Sequence, residues 1–322
     1  MLRRLVLCLV LASTACGGGA SDEGRLVVVT TVSPITNIVA NVAGGRVEIV
    51  GIVPEGENSH TFEPSPSVAR VLARADVVFV NGLGLETPAI DLAEANLKAG
   101  AEIVALGELT IDADEYVYDF SFPRSEGDPN PHLWTNPPYA ARFAEIVADT
   151  LVERDPEGPY RANLALFQDR VDALDAAIRE ATETVPEASR KLLTYHDSFP
   201  YFAREYGWDV IGAVQPSDFS DPSPRDVARL IEQVRDEGVP AIFGSEVFPS
   251  PVLETIASES GATYVDDLRD DDLPGDTGDA EHTWLALMVF DYTTIVEALG
   301  GDSSAFDDVD TSNVTMDAAV YE

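Results

Sequence analysis

Residues 25–53 read RLVVVTTVSPITNIVANVAGGRVEIVGIV, and this stretch predicts the fold of the chain. It begins with a short β-branched run at 25–31, which is typical of a buried parallel strand. Residues 34–43 then carry apolar side chains at helical spacing, and a glycine pair ends the predicted helix. A second apolar run at 47–53 predicts another strand. The order strand, helix, strand indicates a parallel β-α-β unit.

The same alternation continues further along the chain. A loop at 54–64 leads into a predicted helix at 66–74 and a predicted strand at 76–81. A second series of alternating strands and helices is predicted over 191–299. Alternation of this kind favours parallel sheets covered by helices.

The two series are separated by residues 137–185, which contain few helix breakers beyond Pro156, Gly158 and Pro159. We therefore predict an α/β protein of two lobes, each with a parallel sheet flanked by helices. A long connecting helix, interrupted near 156–159, joins the lobes, and a ligand cleft lies between them. The predicted organisation is a signal peptide at 1–15, a flexible tether at 16–24, an N-terminal lobe at 25–136, the connecting helix at 137–185, a C-terminal lobe at 186–300 and an acidic tail at 301–322 that is expected to fray.

The composition supports two globular lobes and excludes one class of partner. The chain has 322 residues, 45% of them hydrophobic, which is enough for two cores. Its 57 acidic and 20 basic residues give a formal net charge of −37. Such a surface repels nucleic acid and anionic lipid headgroups, so we expect no nucleic-acid partner.

The N-terminus predicts export. It reads MLRR, then an apolar run at 5–12 that is too short to span a bilayer, then small residues before Cys16. The cysteine after small residues resembles a bacterial lipoprotein signal, in which the thiol is lipidated; simple secretion with cleavage near Ala15 is the alternative. We expect a protein anchored by lipid at the outer face of the cell membrane, or in the periplasm of a two-membrane cell. Because Cys8 lies in the discarded segment, no disulfide is expected.

The chain contains only four histidines, and each lies where a strand or loop gives way to a helix: His60, His132, His196 and His282. These are the places where α/β folds present side chains to ligands. The gaps between them match no local zinc-finger or HExxH pattern, so a shared site requires that loops from both lobes converge. Imidazole is a suitable ligand for zinc, copper, nickel and iron.

Several segments around these histidines resemble one known family, the substrate-binding lipoproteins of zinc and manganese ABC importers (the ZnuA/TroA-like cluster). The matching segments cover nearly the whole mature chain in order: HTFEPSP at 60–66, NGLGLE at 81–86, PHLWTNP at 131–137, YHDSFPYFAREYG at 195–207, IFGSEVF at 242–248 and TWLALM at 283–288. The resemblance implies a monomeric two-lobed binding protein, not an enzyme. Its partners would be a metal ion, a membrane permease and the ATPase that drives the permease.

The resemblance also implies ligands. The family's first three metal ligands fall on His60, His132 and His196, and Asn130 stands where the family has Asp. At the third position, zinc-preferring members resemble this sequence, whereas manganese-preferring members tend to carry Glu. The family's acidic fourth ligand is replaced here by His282.

The fourth position leaves alternatives open, since Asp279 and Glu281 are close to His282 in sequence. Four neutral imidazoles disfavour Mn²⁺, which prefers carboxylates, and are compatible with tetrahedral Zn²⁺. Zinc is therefore the predicted cargo, although Cu²⁺ also binds such nitrogens tightly. Three acids are predicted either to accept hydrogen bonds from the imidazole N–H groups or simply to cap helices and remain solvated: Asp197, Glu246 and Asp266.

Two other functions are alternatives to metal capture. A secreted zinc hydrolase needs an open water position and a general base, so it becomes possible if His282 does not bind the metal and Glu281 or Asp279 acts as the base. Related surface lipoproteins are sometimes described as adhesins, but no feature of this sequence supports adhesion independently. The predicted function is capture of Zn²⁺ outside the cell and its delivery to a permease.

Overall fold

The computed structural model describes residues 24–245 and 250–322. Cys16 and Glu246, which carry the lipidation prediction and one of the predicted acceptors, lie outside these ranges. None of the helices within them is both long and apolar enough to cross a membrane.

The N-terminal lobe contains a parallel sheet that begins with residues 25–53. Its first four strands in chain order are β1 (Val27–Thr30), β2 (Glu48–Gly51), β3 (Val77–Val80) and β4 (Glu102–Ala105). The spatial order is β4-β3-β1-β2, with a short fifth strand beside β2. The flanking helices are α1 (Ser33–Ala43), α2 (Pro66–Leu72) and α3 (Thr87–Asn96).

The C-terminal lobe contains a second parallel sheet. Its strands are β5 (Lys191–Thr194), β6 (Asp209–Ala213), β7 (Ala241–Phe243) and β8 (Thr263–Val265), in the spatial order β6-β5-β7-β8. The surrounding helices are α6 (Pro200–Tyr206), α7 (Pro224–Glu237), α8 (Pro251–Ser260) and α9 (Trp284–Ala298). The predicted pair of parallel sheets flanked by helices is confirmed.

The connection between the lobes consists of two helices, α4 (Pro137–Arg154) and α5 (Tyr160–Thr184). The break falls at the predicted prolines, because proline and glycine disfavour continuation of a helix. At 25 residues α5 is about 37 Å long, which is enough to pass along both lobes.

One apolar core runs through both lobes. It includes Ile35 of α1, Phe143 of α4, Phe167 of α5, Phe202 of α6 and Met288 of α9, all of which are fully or almost fully buried. A large apolar interface between domains restricts their relative motion. We therefore expect the two lobes to move little relative to each other.

The C-terminal tail does not fray, in contrast to the prediction from its acidic composition. Val320–Tyr321 forms β9, which pairs in parallel with β2 at the edge of the N-terminal sheet. Before that strand, Asp317 accepts a hydrogen bond from the Asn37 side chain, and the Thr315 hydroxyl donates to the carbonyl of Ala40. The tail is ordered by hydrogen bonds to the distant N-terminal lobe, which its own residue pattern does not reveal.

Gly51 makes room for this tail, so Gly51→Ala is expected to displace it. A methyl group at Gly51 would overlap the ring of Tyr321. We expect the substitution to lower the free energy of unfolding by about 1–3 kcal/mol, as overpacking usually does. Gly45→Ala is the matched control, since a methyl group there meets no atom within 4 Å. Denaturant unfolding and limited proteolysis of the tail are the measurements, and equal stability of the two variants would contradict the expectation.

Candidate metal centre

Three imidazole rings converge between the two lobes. His60 lies in the loop after β2, His132 lies just before α4, and His196 directly follows β5. Their Nε2 atoms form a triangle with sides of 3.2 Å (His60 to His132), 3.1 Å (His60 to His196) and 3.0 Å (His132 to His196). Among the described residues, this is the one group of three or more His, Cys, Asp or Glu side chains whose ligand atoms all lie within 4.8 Å of one another.

The triangle has nearly the size that a tetrahedral metal requires. With a Zn–N bond of 2.0–2.1 Å, the nitrogens of two tetrahedral ligands lie about 3.3 Å apart. Three corners of the coordination shell are thus in place before any ion enters.

The topology of the C-terminal sheet explains why His196 points into the cleft. The strand that precedes it, β5, has β6 on one side and β7 on the other, so the chain order reverses there. Ligands of open α/β sheets bind in the crevice beyond the carboxyl ends of the strands at such a point.

Side-chain amides set the tautomer of two of the imidazoles. The Oδ1 atom of Asn130 lies 2.8 Å from Nδ1 of His132, and the Oε1 atom of Gln215 lies 2.6 Å from Nδ1 of His196. An amide oxygen only accepts, so each Nδ1 carries the hydrogen and each Nε2 keeps its lone pair for a metal. The Asn130 amide N–H donates to the carbonyl of Asp197 at 2.6 Å, which fits this assignment. Asn130, at the position where the resemblance implies an Asp, therefore accepts the hydrogen of His132 Nδ1 through an amide oxygen instead of a carboxylate.

Burial keeps His60 and His132 neutral. Desolvation, followed by repulsion from the neighbouring imidazoles, lowers the pKa of His60 and of His132 well below 6.5. Because a histidine must be neutral to bind a metal, these two ligands remain available in mildly acidic solution.

Asp270 is the site residue that sequence reasoning missed. Its side chain is buried, and its Oδ2 atom lies 3.9 Å from Nε2 of His196. The hydroxyl of Ser198 donates to Oδ2 at 2.7 Å and that of Ser245 donates to Oδ1 at 3.0 Å, while the indole N–H of Trp134 donates to the Asp270 carbonyl at 2.8 Å. The carboxylate is thus held beside His196. The available signal was the acidic run 270–272 just beyond strand β8, at the same sheet edge as His196.

His282 lies elsewhere, in contrast to the predicted four-histidine site. Its Nε2 atom is 3.6 Å from Oε1 of Glu55, and it lines a separate cavity of about 250 Å³ beside the C-terminal tail. The physical reason is a turn, in which the N–H of Asp279 donates to Asp276 and that of His282 donates to Asp279, so that the chain has left the cleft before α9 begins. The two alternatives, Asp279 and Glu281, are exposed on this same turn and are not part of the histidine cluster.

At Nδ1 of His132 and of His196, the amide oxygens of Asn130 and Gln215 take the place predicted for Asp197 and Asp266. The carboxyl group of Asp197 accepts from the N–H of Ser121 and pairs with Asp119, whose pKa is raised to about 9 by burial and by the neighbouring Asp197. Asp197 therefore supports His132 only indirectly, through its backbone carbonyl and Asn130. Asp266 is exposed at the end of β8.

Polar contacts link the loop of His60 to the loop of Asp270 across the lobes. The Ser59 hydroxyl donates to Asp271 at 2.6 Å, and the N–H of Gly56 donates to Asp272 at 2.8 Å. The position of the first histidine is thus set partly by the opposite lobe.

Comparisons with known proteins agree with this geometry. The family model described as ZnuA, zinc-uptake complex component A, periplasmic, matches residues 28–298. The manganese-binding lipoprotein MntA of Halalkalibacterium halodurans is 29% identical over 302 residues, covering 92% of this chain and 97% of MntA. The manganese ABC transporter substrate-binding lipoprotein PsaA of Streptococcus pneumoniae is 26% identical over 313 residues, covering 92% of this chain and 96% of PsaA.

A solved structure gives the same result. The periplasmic zinc-binding protein TroA of Treponema pallidum superposes with a TM-score of 0.76 at 28% sequence identity, covering 86% of this chain and 99% of TroA. The resemblance inferred from the sequence is confirmed. The chain belongs to the ZnuA family and is the metal-binding, substrate-binding component of an ABC importer rather than an enzyme.

Proposed function

We propose that the protein captures Zn²⁺ outside the cell and delivers it to the permease of its importer. The observation that carries the proposal is the triangle of Nε2 atoms from His60, His132 and His196. Its size suits a tetrahedral ion, and zinc has no geometric preference that opposes a tetrahedron.

Asp270 is the proposed fourth ligand. Its Oδ2 atom lies 3.9 Å from Nε2 of His196, but the carboxylate is not among the ligand atoms that all lie within 4.8 Å of one another. Binding would bring it to about 3.3 Å from all three Nε2 atoms, which requires a movement of more than about 1 Å. A carboxylate also offsets part of the 2+ charge in a buried site, which three neutral imidazoles do not. The proposed ligand set is thus three imidazole nitrogens and one carboxylate oxygen.

The proposed set of three imidazoles and one carboxylate also favours zinc over manganese. Mn²⁺ favours carboxylate, carbonyl and water ligands, and the proposed set has one carboxylate against three imidazoles. The relatives include proteins named for manganese and for zinc, so the choice of metal depends on the ligands of this chain. Cu²⁺ also prefers imidazole, and it is the competitor to include in any titration.

The cell location completes the proposal. The relatives MntA and PsaA are named lipoproteins, and Cys16 follows small residues at the end of an apolar segment. We propose that lipid on Cys16 anchors a monomer at the outer face of the membrane, within reach of the permease.

Competitive titration tests the choice of metal. We expect one Zn²⁺ per chain and binding of Zn²⁺ at least about 100-fold tighter than that of Mn²⁺, following the intrinsic affinity order for nitrogen ligands. Native mass spectrometry with both metals gives the stoichiometry and the ratio of Kd values, and Cu²⁺ is added in a separate arm. Tighter binding of Mn²⁺ would reject zinc as the cargo.

Substitutions test the ligand set. His132→Ala and Asp270→Asn are expected to weaken zinc binding by at least about 10- to 100-fold, because each removes or weakens a donor at the ion. His282→Gln is the matched control, since it changes a buried histidine outside the cluster, and its Kd is expected to stay within about threefold of the original. Isothermal titration with a competing chelator provides the Kd values. Loss of affinity in His282→Gln together with normal affinity in Asp270→Asn would restore the four-histidine site.

A further inference from the structure

Two phenylalanine rings from opposite lobes cover the three histidines. Phe219, in the loop between β6 and α7, stacks on His60 with ring centroids 4.7 Å apart and an interplanar angle of 25°. Phe122 belongs to the segment between β4 and α4, and its centroid lies 5.5 Å from that of His60 and 5.7 Å from that of His132. The centroids of the two phenylalanines are 6.2 Å apart.

The two rings differ in how firmly they are held. Phe122 is only 8% exposed, whereas Phe219 is half-buried. Phe219 also has a φ of 56°, in the left-handed region that bulky side chains rarely adopt. Such a conformation costs about 1–3 kcal/mol and persists only where the surrounding structure enforces it. Because Phe219 is more exposed than Phe122 and has a backbone conformation that is unfavourable for a bulky residue, its ring is the one of the two that we expect to move.

A small chamber lies on the outer side of these rings. Its volume is about 120 Å³, and His60, Phe122, Phe219, Glu126 and Asp128 are among the residues that line it. At about 30 Å³ per water, it has room for a few water molecules. The two carboxylates are exposed, so the chamber attracts cations from solution.

We infer that Phe219 is the gate through which the metal ion enters and leaves. A hydrated ion collects in the acidic chamber, the Phe219 ring swings off His60, and the ion loses water as the imidazoles bind it. Because the lobes share one apolar core, this local movement replaces a large opening of the cleft. The inference rests on the proposed function. It adds that the Phe219 ring controls the association and dissociation rate constants of the metal ion more than its Kd.

Stopped-flow metal exchange tests the gate. In Phe219→Ala, the association rate constant for Zn²⁺ and the dissociation rate constant into excess chelator are both expected to rise by about tenfold, while Kd changes by less than about threefold. Phe219→Tyr retains a ring and is expected to restore slow exchange. Phe120→Ala is the matched control, because Phe120 is 49% exposed on the same segment as Phe122 and lines a different cavity. The thermal unfolding of each variant is recorded to verify folding.

The outcomes separate the gate from simpler roles. Unchanged rates in Phe219→Ala would overturn the inference. A faster dissociation with an unchanged association rate would also overturn it, because Phe219 would then only stabilise the bound state. Failure of the unsubstituted protein to bind Zn²⁺ would instead reject the proposed function. If the unsubstituted protein binds Zn²⁺ but Phe219→Ala has the same association and dissociation rate constants, only the gate is rejected.

Discussion

The close approach of three imidazole nitrogens, 3.0–3.2 Å apart, is the constraint on which the rest of the site depends. Protonation of these rings would place like charges side by side in a buried space, so the arrangement requires neutral histidines with lone pairs facing inward. Burial keeps His60 and His132 neutral, and Asn130 and Gln215 set the tautomers of His132 and His196. The protein therefore holds the three histidines in the form that a metal needs, so these rings need little rearrangement when the ion binds.

The rigidity of this arrangement comes from the core. Apolar side chains from both lobes pack around α5 and α9, and the C-terminal tail adds β9 to the opposite lobe. Short polar contacts also join the loop of His60 to the loop of Asp270. With the frame fixed, we expect metal exchange to depend on small movable parts near the surface such as Phe219, which is half-buried and has a φ of 56°.

The fold was largely predictable, because β-branched runs and helical spacing are local signals. The site was predictable only in part. The histidines at 60, 132 and 196 follow predicted strands or precede predicted helices, so topology directs them to one cleft. Asp270 was missed, and His282 was chosen in its place, because the turn at 276–282 that carries His282 away depends on backbone hydrogen bonds that residue types do not reveal. Gln215 and the docking of the tail likewise depend on contacts between residues far apart in sequence.

The central claim is that one ion is held by three imidazoles and one carboxylate, and X-ray absorption at the zinc edge of the one-to-one zinc complex tests it most directly. We predict three imidazole nitrogens at about 2.0–2.1 Å and one oxygen at about 2.0–2.2 Å, with the oxygen altered in Asp270→Asn. A shell of four imidazoles, or a shell of oxygen ligands with fewer than three imidazoles, would contradict the account.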